Sequence, residues 1–218
     1  MLSRGVRPGD VTGAVRGGER KRSGKRSGRR SGRRSGKRAF SGRQGGCASL
    51  VRMPFLPRTH EIPAGVEHAR FRIRPITIHD AVRDFDAVMS SAARLRERFP
   101  LWGWPPGDMT LEDNLIDLAW HQKEALLRRS FNYAVMSPDG SRLLGCVYVD
   151  PPEKRGADAD VSFWVRADEE GTGLEEELEP VVRAWLDEAW PFTSVRWPGR
   201  GISWEEWDLL PDTLPAGG

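Results

Sequence analysis

The sequence predicts an α/β (α+β) domain in which helices cover a β-sheet, joined to a basic N-terminal segment of another kind. The strongest strand signal is a hairpin, FNYAVM at 131–136 and LLGCVYVD at 143–150, linked by the turn residues Ser137 to Gly140. Both arms are almost continuously apolar, which is typical of strands buried on both faces. Three stretches with apolar residues at three- and four-residue spacing predict amphipathic helices. Composition changes abruptly at Met53, which separates a segment of residues 1–52 from a predicted domain of residues 53–218.

Residues 1–52 differ from the rest of the chain in charge and in complexity. They carry 16 Lys/Arg and 2 acids, a net charge of +14, whereas residues 53–218 carry 18 and 29, a net charge of −11. From Lys21 to Arg38 a unit of two basic residues, Ser and Gly repeats. A segment with so few apolar residues cannot offset the entropy lost on ordering, so it is predicted to be disordered.

Three interpretations of this segment stay open. It binds polyanions without sequence preference through counterion release, or translation starts at Met53 and the segment is not made, or neither applies. The acidic folded part is not expected to bind nucleic acid. No stretch approaches the roughly 18 apolar residues of a membrane span, and no apolar signal-peptide core follows the basic run. A cytoplasmic protein is therefore expected. Cys47 and Cys146 alone suggest neither a disulfide framework nor a metal site.

The folded part is predicted to open with a strand and a helix. In ARFRIRPI, Phe71 and Ile73 alternate with arginines, as in a half-buried strand. Thr77 and Asp80 form a capping-box pattern, which opens a helix to about Phe99. The predicted apolar face of this helix consists of Ile78, Val82, Phe85, Val88, Met89, Ala92, Leu95 and Phe99.

A loop rich in Trp, Pro and Gly (100–109) leads to a second helix. Thr110 and Asp113 form its capping box, and the helix is predicted to end at about Arg129. Its predicted apolar side consists of Leu111, Leu115, Leu118, Ala119, Leu126 and Leu127.

After the hairpin, a strand, a glycine turn and a helix form the central unit of the chain. VSFWVR (161–166) is the strand, ADEEGTG (167–173) is the turn, and the helix runs from about Leu174 to Trp190. Exposed N–H groups at such a turn make a site for an anion.

The start and the middle of this third helix each carry a local signal. Thr172 and Glu175 are predicted to form a capping box, and Pro180 is predicted to kink or split the helix. A short strand over 193–197 and a brief helix capped by Ser203 complete the predicted order.

Two motifs resemble the GNAT acetyltransferase family. The run Arg74-Pro75-Ile76-Thr77-Ile78-His79-Asp80-Ala81 matches the Arg-Pro-x-Thr-x-x-Asp-Ala opening of many members. The run Glu170-Gly171-Thr172-Gly173-Leu174-Glu175 stands where the family has Gln/Arg-x-x-Gly-x-Gly/Ala, and only Gly173 fits cleanly. The element order is also similar over about residues 70–197. The resemblance implies a mixed, mostly antiparallel sheet flanked by helices. The family's last two strands are not evident, so shortened C-terminal strands are expected.

The resemblance implies that acetyl-CoA is the co-substrate. Two stretches of backbone are expected to bind it. The strand end is expected to hold the pantetheine arm through Trp164, Val165 and Arg166. The turn is expected to offer N–H groups to the pyrophosphate from Gly171, Thr172 and Gly173.

Acidic residues around this turn oppose the binding of an anion. A like charge about 5 Å from a phosphate costs about 3 kcal/mol at an effective dielectric constant near 20. A helix N-terminus returns only about 0.3–1 kcal/mol at the surface. Glu170 and Glu175 are therefore expected to cancel the site, unless they point away or arginines such as Arg166, Arg196 or Arg200 reach over it.

The resemblance also implies a mechanism, in which an amine attacks the thioester directly. A carboxylate removes the amine proton, and a tyrosine after the fifth strand often protonates the thiolate. No tyrosine follows Tyr148 here. Asp160 and Glu112 are the candidate bases, and each is alternatively a solvated surface acid. Trp102 and Trp104 either shape an acceptor pocket or only cover the edge of the core.

Two functions stay open. The element order and the opening motif favour an N-acetyltransferase that acts on a small-molecule or peptide amine. The degenerate turn and the missing tyrosine favour a catalytically inactive binding module with the same fold.

Overall fold

The computed structural model describes residues 54–213, and the predictions for the basic segment 1–52 lie outside this range. The strands are β1 (Val66–Glu67), β2 (Arg72–Pro75), β3 (Phe131–Met136), β4 (Leu143–Asp150), β5 (Ala159–Val165) and β6 (Val195–Arg196). The helices are α1 (Ala81–Ser90), α2 (Ala92–Arg98), α3 (Leu111–Leu126), α4 (Leu174–Ala189) and α5 (Trp204–Asp208). None of the helices in this range is long and apolar enough to cross a bilayer.

The six strands form one sheet in which every strand lies next to its neighbours in the sequence. The neighbours pair antiparallel from β1 to β5, and only β5 and β6 are parallel. The predicted mixed, mostly antiparallel sheet is therefore confirmed, and so is its shortened C-terminal end, since β6 has only two residues. β1 was not predicted, because its two residues follow a proline-rich stretch without alternation.

Helices cover both faces of the sheet, as the apolar hairpin predicted. One face packs against α4 through a cluster that includes Phe131, Val147 and Phe163. The other face packs against α1, α2 and α3 through a cluster that includes Cys146 and Trp164. Successive residues of one strand point to opposite faces, so β4 and β5 supply both clusters.

The first predicted helix is correct at its start but divided near its middle. Thr77 and Asp80 form the predicted capping box, which opens a turn of 3₁₀ helix before α1. Ser91 then separates α1 from α2. Its hydroxyl accepts a hydrogen bond from the N–H of Ala167 at 3.0 Å, so the break serves the turn that follows β5.

The predicted apolar face of this helix is partly wrong. Ile78 and Val82 are exposed, whereas Asp84 and Ser91 are buried. Val88 is buried as predicted, but it shares the buried side of α1 with the polar Asp84, so this side is rotated from the one that hydrophobicity predicted.

The apolar side predicted for α3 is also wrong. Leu118 is buried, but it shares the buried side with Asn114 and Glu124. The exposed large apolar residues of this region are Leu111, Leu115, Ile116, Trp120, Leu126 and Leu127. A hydrophobicity pattern does not predict that Asn114 is buried, because its side chain is polar. Its Nδ2 donates to the carbonyl of Ala81 at 3.0 Å and joins α3 to α1.

α4 begins at Leu174 as predicted, but without the predicted capping box. Its N-cap is Gly173, at φ 79°, and no side chain caps it. Thr172 accepts instead from the N–H of Leu174 at 3.3 Å, and Glu175 turns away toward arginines. Pro180 lies within the helix without splitting it. The buried apolar stripe of α4 offsets the hydrogen bond that a proline removes.

Candidate active site

The candidate site begins where β5 and β6 separate. The two strands pair only at Ala159↔Val195 and Asp160↔Arg196, and β5 continues for five more residues without a parallel neighbour. Antiparallel pairing with β4 uses the backbone of alternate residues. Arg166 donates its N–H to Leu144 at 2.8 Å, so the backbone groups of Phe163 and Val165 face the opening instead. Of the predicted trio, Val165 directs its backbone N–H and C=O to this opening, whereas Trp164 and Arg166 direct theirs to β4.

The turn after β5 presents backbone N–H groups toward the solvent. Gly171 and Gly173 adopt left-handed conformations, at φ 73° and φ 79°, which a residue with a Cβ rarely adopts. Among residues 54–213, the N–H groups of Gly173, Glu175 and Glu176 have no hydrogen-bond acceptor. These are the orphan donors of a helix N-terminus, and the dipole of α4 adds partial positive charge to them.

Most acids near this turn pair with arginines that lie outside the opening. Arg142 contacts both Asp168 and Glu169, and Arg70 contacts Glu177 at 2.9 Å. These carboxylates are thus directed to the outer surface. Fewer negative charges therefore face the opening than the acidic composition of the turn suggests.

Glu175 behaves differently, because it points into the opening. Its carboxylate lies 2.6 Å from Arg94 Nη2 and 3.0 Å from Arg98 Nη2, and it also contacts Arg200. Arg200 in turn contacts Glu179 at 2.7 Å. We call Arg94, Arg98 and Arg200 the arginine triad.

The arginine triad and Glu175 fill the inner end of the opening. The guanidinium of Arg200 lies 3.8 Å from the centroid of the Phe163 ring, and Arg98 Nη2 donates to the Phe163 carbonyl at 3.4 Å. Only about 10 Å³ of free space remains between Arg94, Arg98, Val165 and Glu175. Of the three arginines predicted to reach over the turn, Arg200 does so, whereas Arg166 pairs with Asp86 and Arg196 with Asp160.

A row of charged side chains lies at the point where β5 and β6 part. Asp150 on β4 is directly opposite Asp160 on β5, and Asp160 is opposite Arg196 on β6. Arg196 Nε donates to Asp160 at 2.7 Å, and Trp207 Nε1 donates to its other oxygen at 3.2 Å. Asp160, one of the two predicted bases, is therefore fully hydrogen-bonded in this arrangement.

Asp150 is the titratable group of this row with the most unusual environment. Burial raises its pKa to about 6, although Ser130 Oγ donates to it at 2.5 Å and opposes the shift. A carboxyl group with a pKa near neutrality is suited to accept and release a proton. Sequence reasoning missed it because an acid at a strand end looks like a surface residue.

A second polar cluster extends this row under α1 and α3. Cys146 Sγ donates to Asp84 at 3.6 Å, and Trp164 Nε1 donates to the hydroxyl of Tyr148 at 2.8 Å. Burial raises the pKa of Asp84 to about 6, and it raises the pKa of Tyr148 above its usual value. Burying a polar group costs free energy unless it is hydrogen-bonded. This face of the sheet therefore differs from the apolar face in that it buries hydrogen-bonded polar side chains.

The remaining predicted site residues lie elsewhere. Glu112 is exposed in the first turn of α3. Trp102 stacks on Phe99 with ring centroids 4.3 Å apart and also meets Trp204 at 5.7 Å. Trp104 lies 6.3 Å from Trp164. The two tryptophans of the loop therefore join an aromatic cover over the face that carries the polar groups.

Comparisons with known proteins identify one family. A family profile described as "Acetyltransferase (GNAT) domain" matches residues 70–202. A search of curated proteins found no significant match.

Solved structures with a similar arrangement include three acetyltransferases. The ribosomal-protein-S5-alanine acetyltransferase from Vibrio fischeri is 17% identical, with a TM-score of 0.47 over 58% of this chain and 69% of that chain. RimL, a ribosomal L7/L12 α-N-protein acetyltransferase solved with coenzyme A, is 14% identical, with a TM-score of 0.44 over 57% and 66%. The microcin C7 self-immunity acetyltransferase MccE, solved with acetyl-CoA and AMP, is 12% identical, with a TM-score of 0.45 over 59% and 71%.

The family assignment rests on the profile match, which spans more than half of the 218 residues. It confirms the resemblance carried by the opening motif and by the strand, turn and helix around Gly173. The chain belongs to the GNAT acetyltransferase family.

Proposed function

We propose that the protein is an N-acetyltransferase, which moves the acetyl group of acetyl-CoA to an amine by direct attack in the cytoplasm. The observation that carries this proposal is the parting of β5 from β6, next to a turn with free N–H groups. An extended pantetheine arm suits the backbone of Phe163 and Val165, which has no partner strand on the β6 side; Arg98 donates there to the Phe163 carbonyl. A diphosphate suits the N-terminus of α4.

The charged row at the parting point supports a role in proton transfer. In the reaction the acceptor nitrogen bonds to the acetyl carbon, the carbon–sulfur bond breaks, and the nitrogen loses a proton. Asp150 is the base that we assign, since burial brings its pKa to about 6. Asp160 is a positioning residue in this scheme, because Arg196 and Trp207 hold its carboxylate in place. The thiolate takes its proton from solvent, since no tyrosine follows Tyr148.

The acceptor is a primary amine on a small molecule or a peptide. Aromatic side chains of the 100–109 loop and of α5 lie over the polar face, with Trp102 and Trp204 in edge contact. In this scheme the amine reaches Asp150 beneath this cover. Positioning of this kind supplies most of the rate enhancement in a direct transfer.

One observation favours a second function, a GNAT-fold module that no longer binds the co-substrate. The inner end of the opening holds about 10 Å³ of free space, and the arginine triad and Glu175 occupy the rest. A module of this kind keeps the fold and binds a partner without catalysis.

Titration calorimetry with acetyl-CoA, followed by turnover assays, separates the two functions. The acetyltransferase predicts heat of binding, and release of the CoA thiol only when an amine is present. Mass spectrometry of the amine then shows the acetylated product. The absence of both heat and a thermal shift at millimolar acetyl-CoA would refute the acetyltransferase. The binding module would then be the remaining function.

A further inference from the structure

We propose that the arginine triad is a diphosphate-binding site and that Glu175 is its built-in competitor, which the diphosphate of the co-substrate must displace. This inference deepens the proposed function and rests on it for the identity of the natural ligand. The chemistry itself concerns only a diphosphate and three guanidinium groups. It therefore has a test that does not depend on acetyl transfer.

The ion pairs in the opening contain more arginines than acids. The arginine triad supplies three positive charges, and Arg183, bound to Glu179 at 2.7 Å, supplies a fourth. Glu175 and Glu179 are the two half-buried acids that face them. Glu170 is 72% exposed and lies 3.3 Å from Arg94, so solvent screens its contribution. Among the residues in these ion pairs, four guanidinium groups thus face three carboxylates.

Two of the guanidinium groups also have unused donors. Arg94 Nη1 and Arg200 Nε are buried without a hydrogen-bond partner among residues 54–213. Arg94 Nη1 approaches Glu170 but does not meet hydrogen-bond geometry. Buried donors normally find acceptors. A diphosphate has more acceptor oxygens than one carboxylate, and arginine binds phosphate in a bidentate manner.

The position of the arginine triad fits a ligand that also meets the turn. Glu175 is the second residue of α4, so the carboxylate that fills the triad belongs to a residue two positions after Gly173. An anion that replaces it lies within the first turn of the helix, where free N–H groups and the dipole favour negative charge. Arg94 and Arg98 come from α2, and Arg200 follows β6. The opening is thus closed by three separate segments that meet on one carboxylate.

Glu175 therefore makes binding an exchange rather than a simple addition. Its carboxylate neutralises the arginines and keeps the opening closed when no diphosphate is present. Binding requires the side chain to rotate toward solvent, which lowers the apparent affinity by the fraction of molecules already open. Glu175 stands where the pyrophosphate motif has a small residue. In this chain it acts as a gate for the diphosphate.

The test measures the binding of inorganic pyrophosphate, CoA and pantetheine by calorimetry to the wild type and to Glu175→Gln. The variant keeps the shape of the side chain and removes its charge. We expect it to bind pyrophosphate and CoA at least about tenfold more tightly, equivalent to ~1.4 kcal/mol, and pantetheine unchanged. Glu188→Gln, an exposed position near the end of the same helix, is the control for net charge and is expected to show no gain. Adding Arg94→Gln to Glu175→Gln is expected to remove the gain.

Thermal unfolding provides a readout that a purely structural role of Glu175 would not give. Glu175→Gln removes the carboxylate that three arginines share, so its Tm is expected to fall and to recover with pyrophosphate, because a ligand that binds only the native state stabilises it. Glu175→Asp keeps the charge on a shorter side chain and is expected to bind with intermediate affinity. It serves the same test if Glu175→Gln does not fold.

The outcomes distinguish this inference from the proposed function. If Glu175→Gln binds pyrophosphate no more tightly than the wild type and Glu188→Gln, the inference is overturned, even in an enzyme that acetylates amines. If it binds pyrophosphate more tightly but no amine is acetylated by any variant, the inference stands and the proposed function fails.

Discussion

The two faces of the sheet are built by the same strands but differ in what they bury. On β4, Val147 joins the apolar cluster under α4, while its neighbour Tyr148 lies on the opposite face. On β5, Phe163 and Ser162 divide in the same way. Because successive strand residues point to opposite faces, one face is apolar and the other also carries polar and titratable side chains. Single substitutions are therefore expected to change stability on one face and the proposed catalysis on the other.

The two faces also differ in the kinds of side chain that they bury and in the free energy of that burial. The α4 face gains from apolar area removed from water, at roughly 25 cal/mol per Å². The α1–α3 face buries Asp84 and Asn132 as well as apolar residues. Each polar group there needs a partner, or its pKa shifts until it is neutral.

The largest expected effect concerns catalysis on the polar face. Asp150→Asn removes the proposed base, and kcat/KM for acetyl transfer is expected to fall about 10²–10⁴-fold, the usual contribution of general base catalysis. In the wild type, kcat/KM is expected to decline below about pH 6, where Asp150 becomes protonated, and the variant is expected to lack this limb. The measurement is the pH dependence of thiol release.

Asp187→Asn is the matched control for this change, because Asp187 is exposed on α4. It is expected to have wild-type activity. A loss in Asp150→Asn of less than about tenfold would assign the proton transfer to another group.

The next effect concerns stability and belongs to the α4 face. Leu178 is fully buried there, so Leu178→Ala is expected to lower the free energy of unfolding by about 2–5 kcal/mol, through lost burial and a cavity. Urea unfolding followed by circular dichroism measures it. Leu126→Ala is the control, since Leu126 is 78% exposed and is expected to change stability by less than about 0.5 kcal/mol. Equal losses in the two variants would contradict the assignment of the core.

The same contrast explains which parts of the fold could be predicted from the sequence. β3 and β4 were predicted at their observed bounds, because apolar runs flanked by turn residues carry a strong local signal. The capping boxes at Thr77 and Thr110 were confirmed for the same reason, as each depends on residues three apart. The one at Thr172 was wrong because distant arginines attract Glu175 more strongly than the local backbone does.

The candidate site could be predicted only in outline. The strand, turn and helix around Gly173 were found from a local pattern. The arginine triad was not, since Arg94, Arg98 and Arg200 are far apart in the sequence and meet only in the fold. The buried faces of α1 and α3 were misassigned because they carry Asp84 and Asn114 inward. A hydrophobicity pattern assumes that polar residues face water, and on this side of the sheet they do not.

A smaller effect concerns the pH dependence of stability. Asp84 has a folded-state pKa of about 6, raised by burial above its ordinary value of 3.8. Between about pH 4 and pH 6 the folded state holds this proton while the unfolded chain has released it. Stability therefore falls as pH rises through this range and stays level above it. The expected loss from this group is roughly 2–3 kcal/mol, and Asp84→Asn is expected to remove this part of the slope in urea unfolding at pH 4 to 7. Asp150, whose pKa burial also raises to about 6, contributes the remainder.

Asp139 provides the control of opposite sign. Hydrogen bonds from Ser137 and Ser141 lower the pKa of this exposed carboxyl to about 2. The stability that it contributes is present above its unfolded pKa and is lost as pH falls toward 2. Asp139→Asn is thus expected to reduce the acid sensitivity of the protein and to leave the slope between pH 4 and pH 6 intact. A slope in that range that is undiminished in Asp84→Asn would refute the assignment to Asp84.

The smallest expected effect concerns the exposed apolar side of α3, where hydrophobicity is not evidence of burial. Ile116 is 61% exposed, so Ile116→Lys removes little buried area, and its free energy of unfolding is expected to stay within about 0.5 kcal/mol of the wild type. Lysine also has a better intrinsic helix propensity than isoleucine. A loss of more than about 1 kcal/mol, measured by urea unfolding, would mean that Ile116 is covered in solution and that the apolar residues of α3 belong to a core after all.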